Sequence, residues 1–212
     1  MKTIALLGST GAVGGECLSQ ALEAGLAVRV LVRDANKLAP ELREQVEVLE
    51  GNALEKTDID KLLVDIDTVV FAIGVDKQSP EDLCTDVTRH VMEVLRAKGG
   101  GRFIWCGGGS TQVEEDRLSF GARFVNFYAR HFLGLRHRDK DHQYALLQTY
   151  SDIDWVGVRP LQIKKAPKTG HYQMGFIPFS GMSWISFVDV AHAMLSMIDS
   201  NEWLRKAPII RY

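Results

Sequence analysis

The stretch from Lys2 to Gly15 most constrains what this chain can fold into. Lys2-Thr3-Ile4-Ala5-Leu6-Leu7 is a short apolar run of the kind that forms a strand buried on both faces. Gly8, Gly11 and Gly14 follow at three-residue spacing, and Glu16, Cys17, Leu18, Ala21 and Leu22 then have helical spacing up to Gly25. The order is strand, glycine turn, helix. A helix N-terminus offers unpaired N–H groups and a partial positive charge, which suit a pyrophosphate. Glycine there permits the sharp turn and lets a phosphate reach the backbone without meeting a Cβ. The spacing is G-x-x-G-x-x-G rather than the commoner G-x-G-x-x-G. A turn that merely packs a helix on a sheet uses the same residues. The strand before it and the helix after it point instead to cofactor binding by Gly8, Ser9, Thr10, Gly11, Ala12 and Val13.

The alternation continues along the chain. Ala27 to Val32 reads as a second strand ending at Arg33-Asp34. In a dinucleotide fold the residue at this strand's end faces the adenosine ribose, where an acid accepts the 2′-hydroxyl of NAD and an arginine pairs with the 2′-phosphate of NADP. Arg33 therefore predicts a preference for NADP(H), with NAD(H) as the alternative that the adjacent Asp34 keeps open. The pattern predicts a helix over 36–44, a strand over 46–49 running into Gly51-Asn52-Ala53, and a helix over 54–64. Thr68 to Ile73 is an apolar strand closed by Gly74, and the helix from Glu81 to Lys98 stops at Gly99-Gly100-Gly101. Arg102 to Cys106 is the next strand, running into Gly107-Gly108-Gly109-Ser110. Ile209 to Tyr212 reads as a short edge strand.

Strands alternating with helices predict an α/β doubly wound parallel sheet, a Rossmann fold, with 1–212 as a single domain carrying a small C-terminal lobe. Ligands sit at the carboxyl edge of such a sheet. That adds Ala72, Ile73, Gly74, Cys106 and Gly107 to the cofactor-binding candidates.

Composition narrows the classes. A formal charge of −2 gives no general pull toward nucleic acid or membrane, and no apolar run is long enough to span a bilayer. The scattered Cys17, Cys84 and Cys106 lack C-x-x-C spacing, so they read as reduced thiols of a cytoplasmic protein, with no disulfide frame and no metal site. Residues 111–140 interleave Phe120, Phe124, Phe127 and Phe132 with Arg123, Arg130, His131 and Arg138. This reads as an amphipathic helix packed on the sheet, or as a lid or protein-partner surface. The local basic patch does not make the chain a nucleic-acid binder.

The Gly8–Gly14 turn resembles that of the extended and atypical short-chain dehydrogenase/reductase proteins. Ser151-Asp152-Ile153-Asp154-Trp155-Val156-Gly157-Val158-Arg159-Pro160 is similar to the segment that closes the nucleotide-binding core in the NmrA-like and flavin/biliverdin-reductase-B-like families. Thr169-Gly170-His171-Tyr172 and Trp184-Ile185-Ser186-Phe187-Val188-Asp189-Val190-Ala191 resemble later motifs of the same group, in the same order. The resemblance implies that Pro160 lies beside the nicotinamide. It also implies that Asn52, with Ala53, stands where an aspartate commonly contacts adenine, and that Ser110 replaces, several positions late, a hydroxyl often found near the nicotinamide. Lys140 falls at the place of the family lysine, but Arg136 stands where the tyrosine of the catalytic pair belongs. Ser186 reads as an N-cap with Asp189 as its partner, close to a capping box.

Without that tyrosine, the resemblance implies an NADPH-dependent reductase passing hydride to a flavin, quinone or similar planar acceptor. Lys140 and Ser110 are then the candidate catalytic residues. The alternative it implies is a non-catalytic NAD(P)-sensing regulator.

Overall fold

Apolar runs separated by glycine become neighbouring parallel strands. The computed structural model describes residues 2–76, 78–111, 113–117, 135–176 and 183–212. The first half carries β1 (Thr3–Leu7), α1 (Ala12–Glu23), β2 (Ala27–Val32), α2 (Pro40–Arg43), β3 (Glu47–Glu50), α3 (Lys56–Leu62), β4 (Thr68–Phe71) and α4 (Leu83–Ala97). Then come β5 (Arg102–Cys106), α5 (Leu135–Gln148), β6 (Asp154–Pro160), β7 (Gln162–Lys164), β8 (Gln173–Gly175), β9 (Trp184–Ser186), α6 (Phe187–Ser196) and β10 (Ile209–Arg211).

The main sheet has the order β3-β2-β1-β4-β5-β6-β10-β8, parallel throughout except where β8 runs against β10. A small parallel sheet pairs β7 with β9. This is the doubly wound Rossmann architecture that the alternation of elements predicts. From β1 the chain winds one way to β2 and β3 and the other way to β4, so the order reverses between β1 and β4. The crevice at the carboxyl ends of such a pair is where these sheets receive ligands.

Side chains alternate across the strands and explain the continuous apolar runs. Ile4 and Leu6 face Leu18 and Ala21 of α1 and Val190 and Met194 of α6. Ala5 and Leu7 face Ile59 and Leu62 of α3 and Val87 and Val91 of α4. Both faces are covered, so both parities of each central strand are apolar.

Three expectations are corrected. The helix expected over 36–44 is a 3-10 turn (Ala35–Lys37) and a separate four-residue α2. The ring of Pro40 keeps Ala39 extended, at ψ 135°, and breaks the run. β10 is not an edge strand: β8 covers its outer side, and Ile209 and Ile210 are both buried. Asp189 does not complete a capping box. Ser186 Oγ accepts the Asp189 N–H at 3.0 Å, but the Ser186 N–H donates to the Tyr212 hydroxyl instead. The Asp189 carboxylate accepts from Thr169, Gly170 and Tyr212, so it joins the 169–170 loop and the strand β10 end to α6.

Among the described residues no helix is long and apolar enough to cross a membrane. The segment singled out for its aromatic and basic residues lies, over 118–134, outside the described residues.

Candidate functional site

The turn after β1 is built so tightly that two of its positions admit only glycine. Gly8 has φ +86°, and a Cβ there would lie 2.7 Å from the Ala72 carbonyl and the Ile73 nitrogen. A Cβ on Gly14 would lie 2.0 Å from the Gly8 oxygen. These contacts press the turn against the exit of β4 and aim α1 at the switch point. Gly11 caps α1 with no side-chain hydrogen bond, and the first turn holds no acidic residue, so its amides are left for an anion. Thr10, Gly11 and Ala12 are exposed on the outer side of the turn, with Val13 half-buried. Ser9 is 3% exposed and its Oγ has no partner among the described residues. A buried unpaired hydroxyl costs about 1–3 kcal/mol. A phosphate oxygen would relieve it, so the residues present fit a dinucleotide.

At the end of β2, Arg33 is exposed and has no ion-pair partner among the described residues. Beside it, the Asp34 carboxylate accepts the Asn36 N–H at 2.9 Å on one oxygen and caps the 3-10 turn. The neighbouring turn is joined on by the Gly51 N–H, which donates to the Val32 carbonyl at 2.9 Å. Asn52 there accepts the Leu54 N–H on Oδ1 and donates its own N–H to Asp58. Those hydrogen bonds, first from Asn52 and then from Lys61, hold the Asp58 carboxyl below the usual carboxylate range. Ala53 is partly buried against the core.

Lys140 joins the ends of β4 and β5. Its ammonium donates to the Ile73 carbonyl at 3.2 Å, the Cys106 carbonyl at 3.2 Å and Gln143 Oε1 at 3.1 Å, which accounts for its three protons. Its neighbour Asp139 is buried and caps α4 from outside, accepting the N–H groups of Cys84 and Thr85 at 2.8 and 2.9 Å and the Thr85 hydroxyl. Together the pair fixes the loop that carries Gly74, itself exposed at the rim.

Beyond β5, the Gly107 N–H donates to Val158 at 2.8 Å and the Gly109 N–H donates to Pro160 at 2.9 Å, laying the glycine loop along the end of β6. Ser110 is buried in this loop. The guanidinium of Arg159 is fully buried and donates to the carbonyls of Thr111 and Ala207 and to the Asp116 carboxylate. The expected residues thus form one rim: Gly8 against Ala72 and Ile73, Lys140 bridging Ile73 and Cys106, and Gly107–Gly109 against Pro160.

Acid–base groups on this rim are sparse. Burial pushes the Cys106 and Cys84 thiols up to about 11, and Cys17 is raised as well, so none is a thiolate at neutral pH. Tyr144, one helical turn after Lys140, lies between Trp105 and Trp155, and burial pushes its phenol up to about 12. Among the described residues no tyrosine pairs with Lys140.

Asp116, Asp139 and Arg159 were not singled out from the sequence as site-shaping groups. The one usable signal is Arg159, a charge in the apolar part of β6, which requires a buried counter-charge.

Comparison with known proteins bears on the fold and the family. The uncharacterised protein YwnB of Bacillus subtilis is 26% identical over 205 residues, covering 94% of this chain and 93% of its own. The structure of ChuY, an anaerobillin reductase from Escherichia coli O157:H7, superposes with a TM-score of 0.79 at 20% identity, covering 99% of this chain and 97% of that one. A short-chain dehydrogenase/reductase from Veillonella parvula in complex with NADP gives a TM-score of 0.77 at 14% identity, covering 100% and 94%. A model of an NAD(P)H-binding family matches residues 8–201, from the first glycine of the turn to beyond α6. The chain belongs to this NAD(P)H-binding family.

Proposed function

We propose that this protein is an NADPH-dependent reductase acting on a planar acceptor such as a flavin, a quinone or a linear tetrapyrrole. The observation that carries the cofactor half is Arg33, exposed at the end of β2 and without an ion-pair partner among the described residues, while one oxygen of Asp34 caps the 3-10 turn. An arginine so left matches a 2′-phosphate in geometry and charge.

In this reading the turn Gly8–Val13 and the unpaired Ser9 hydroxyl hold the pyrophosphate, and Asn52 and Ala53 border the adenine. Ala72, Ile73 and Gly74 pass the ribose, and Cys106, Gly107 and Pro160 border the nicotinamide. NADPH supplies a hydride when bound. The protein's part is to orient it. Lys140 acts as a positioning residue, since its protons are held by Ile73, Cys106 and Gln143 rather than offered to a substrate. The proton that accompanies reduction comes from solvent, because Tyr144 and the thiols of the rim are buried and high in pKa. Such a site suits acceptors whose reduced form takes a proton readily and does not suit alcohol oxidation.

The overlap with ChuY supports a bilin-like or otherwise flat acceptor, and the Veillonella complex supports NADP. The test is NADPH oxidation followed at 340 nm with riboflavin, menadione and biliverdin as acceptors (the wavelength set by reduced nicotinamide). Turnover with at least one of them is expected. NADPH binding without turnover of any acceptor would favour the regulator.

A further inference from the structure

The ammonium of Lys140 is held entirely by neutral groups. Its acceptors are the backbone carbonyls of Ile73 and Cys106 and the side-chain carbonyl of Gln143, and it lies 5.3 Å over the Phe71 ring. Among the described residues it forms no ion pair. Asp139, next to it in the chain, turns its carboxylate to α4, where both oxygens accept from the first amides at the positive end of that helix. A half-buried positive charge therefore stands between the exits of β4 and β5, and no carboxylate of the described residues is paired with it.

Gln143 is what keeps this charge both fixed and uncompensated. Its side chain is fully buried, and its amide has one orientation that satisfies its neighbours. An ammonium only donates, so Oε1 faces Lys140 at 3.1 Å, and Nε2 then donates to Thr88 Oγ1 at 2.8 Å. Thr88 is likewise fully buried, on α4. A glutamate has the same shape and would accept from Lys140 and from the Thr88 hydroxyl alike. It would also neutralise the ammonium, and the chain carries the uncharged amide instead.

The two states of a nicotinamide cofactor differ in charge at one end. The oxidised ring is a cationic pyridinium and the reduced ring is neutral, whereas the phosphates are the same in both. We propose that Gln143 is a positioning residue for cofactor selection: by holding the Lys140 ammonium without neutralising it, it makes the site favour the reduced nicotinamide over the pyridinium. The assignment rests on the reductase reading, in which the nicotinamide borders Cys106 and Gly107. The repulsion arises only once the hydride has left the ring, so it loosens NADP+ and leaves NADPH undisturbed.

The experiment is calorimetric titration of the wild type, Q143E and K140M with NADPH, NADP+ and 2′,5′-ADP, the last carrying the adenosine half alone. The wild type is expected to bind NADPH at least fivefold more tightly than NADP+. Q143E keeps the hydrogen bonds and adds the counter-charge, so this ratio falls at least threefold, through tighter NADP+ binding, while 2′,5′-ADP affinity stays within twofold. In K140M the ratio also falls at least threefold, whatever happens to the two affinities individually. A purely structural role weakens NADPH and NADP+ together and leaves the ratio unmoved. A wild-type ratio near one, or a ratio unchanged in both variants, overturns the assignment. Failure of the wild type to bind either nucleotide overturns it together with the cofactor site. A ratio that moves as expected without turnover of any acceptor sinks the reductase reading alone, and turnover with an unmoved ratio sinks this assignment alone.

Discussion

Arg159 and Asp116 form a bidentate ion pair inside the protein, with guanidinium-to-carboxylate distances of 2.5 and 2.8 Å and the arginine side chain fully buried. The pair fastens the loop after β5 to β6 and holds the backbone of Thr111. Replacing Asp116 leaves a buried cation with only carbonyl partners, a change that costs about 3–5 kcal/mol. D116A is expected to lower the urea midpoint by an amount corresponding to that range. A midpoint equal to wild type would show that the pair carries no stability.

Asp139 caps α4 from another helix, so its loss acts at a distance in sequence. D139A removes the acceptor for the Cys84 and Thr85 amides and is expected to cost about 2 kcal/mol. The loss is expected to be local. Hydrogen exchange should accelerate at residues 83–86 more than at the C-terminal end of α4, and uniform acceleration along the helix would contradict the cap.

The pH dependence of stability carries the signature of Asp189. Burial raises its carboxyl pKa, but the hydrogen bonds from Tyr212, Gly170 and Thr169 outweigh that and hold it well below the usual carboxylate range. A folded pKa below the unfolded one means stability that is fully present above the unfolded value, about 3.9, and lost as pH falls below it. D189N is expected to be less stable than wild type at pH 7 and to lose less on acidification from pH 5 to pH 3. Parallel stability curves for the two proteins over that interval would contradict the assignment.

Gly14 tests the turn itself. With a Cβ due 2.0 Å from the Gly8 oxygen, G14A must displace the turn, and overpacking of this kind costs about 1–3 kcal/mol. Nucleotide affinity is expected to fall at least tenfold while the far-UV circular dichroism is retained. Unchanged affinity in calorimetry would mean that the turn does not hold the cofactor.

Much of this was legible in the sequence, and the limits have physical causes. The strands Ala27–Val32 and Arg102–Cys106 were read at their observed ends because apolar runs bounded by glycine or charge leave few alternatives. Gly8 and Gly14 were legible as a turn, although not as the two positions with no room for a Cβ. The helix expected over 36–44 is split because the effect of Pro40 falls on the residue before it, Ala39. β10 was misread because strand order is set by a partner, β8, that is distant in sequence. The same distance concealed Asp139 on Thr85, 54 residues apart, and Asp116 on Arg159, 43 apart. Periodicity reports which face a residue buries. It does not report which distant charge meets it there.

The central claim is that the rim at the carboxyl ends of β1, β2, β4 and β5 holds NADP(H), with Arg33 reading the 2′-phosphate. Calorimetric titration of the wild type and R33A with NADPH and NADH tests it most directly. The account predicts that the wild type binds NADPH at least tenfold more tightly than NADH, a difference of about 1.4 kcal/mol, and that R33A abolishes this preference while NADH affinity is unchanged. Equal affinity of the wild type for the two nucleotides, or an undiminished preference in R33A, would contradict it.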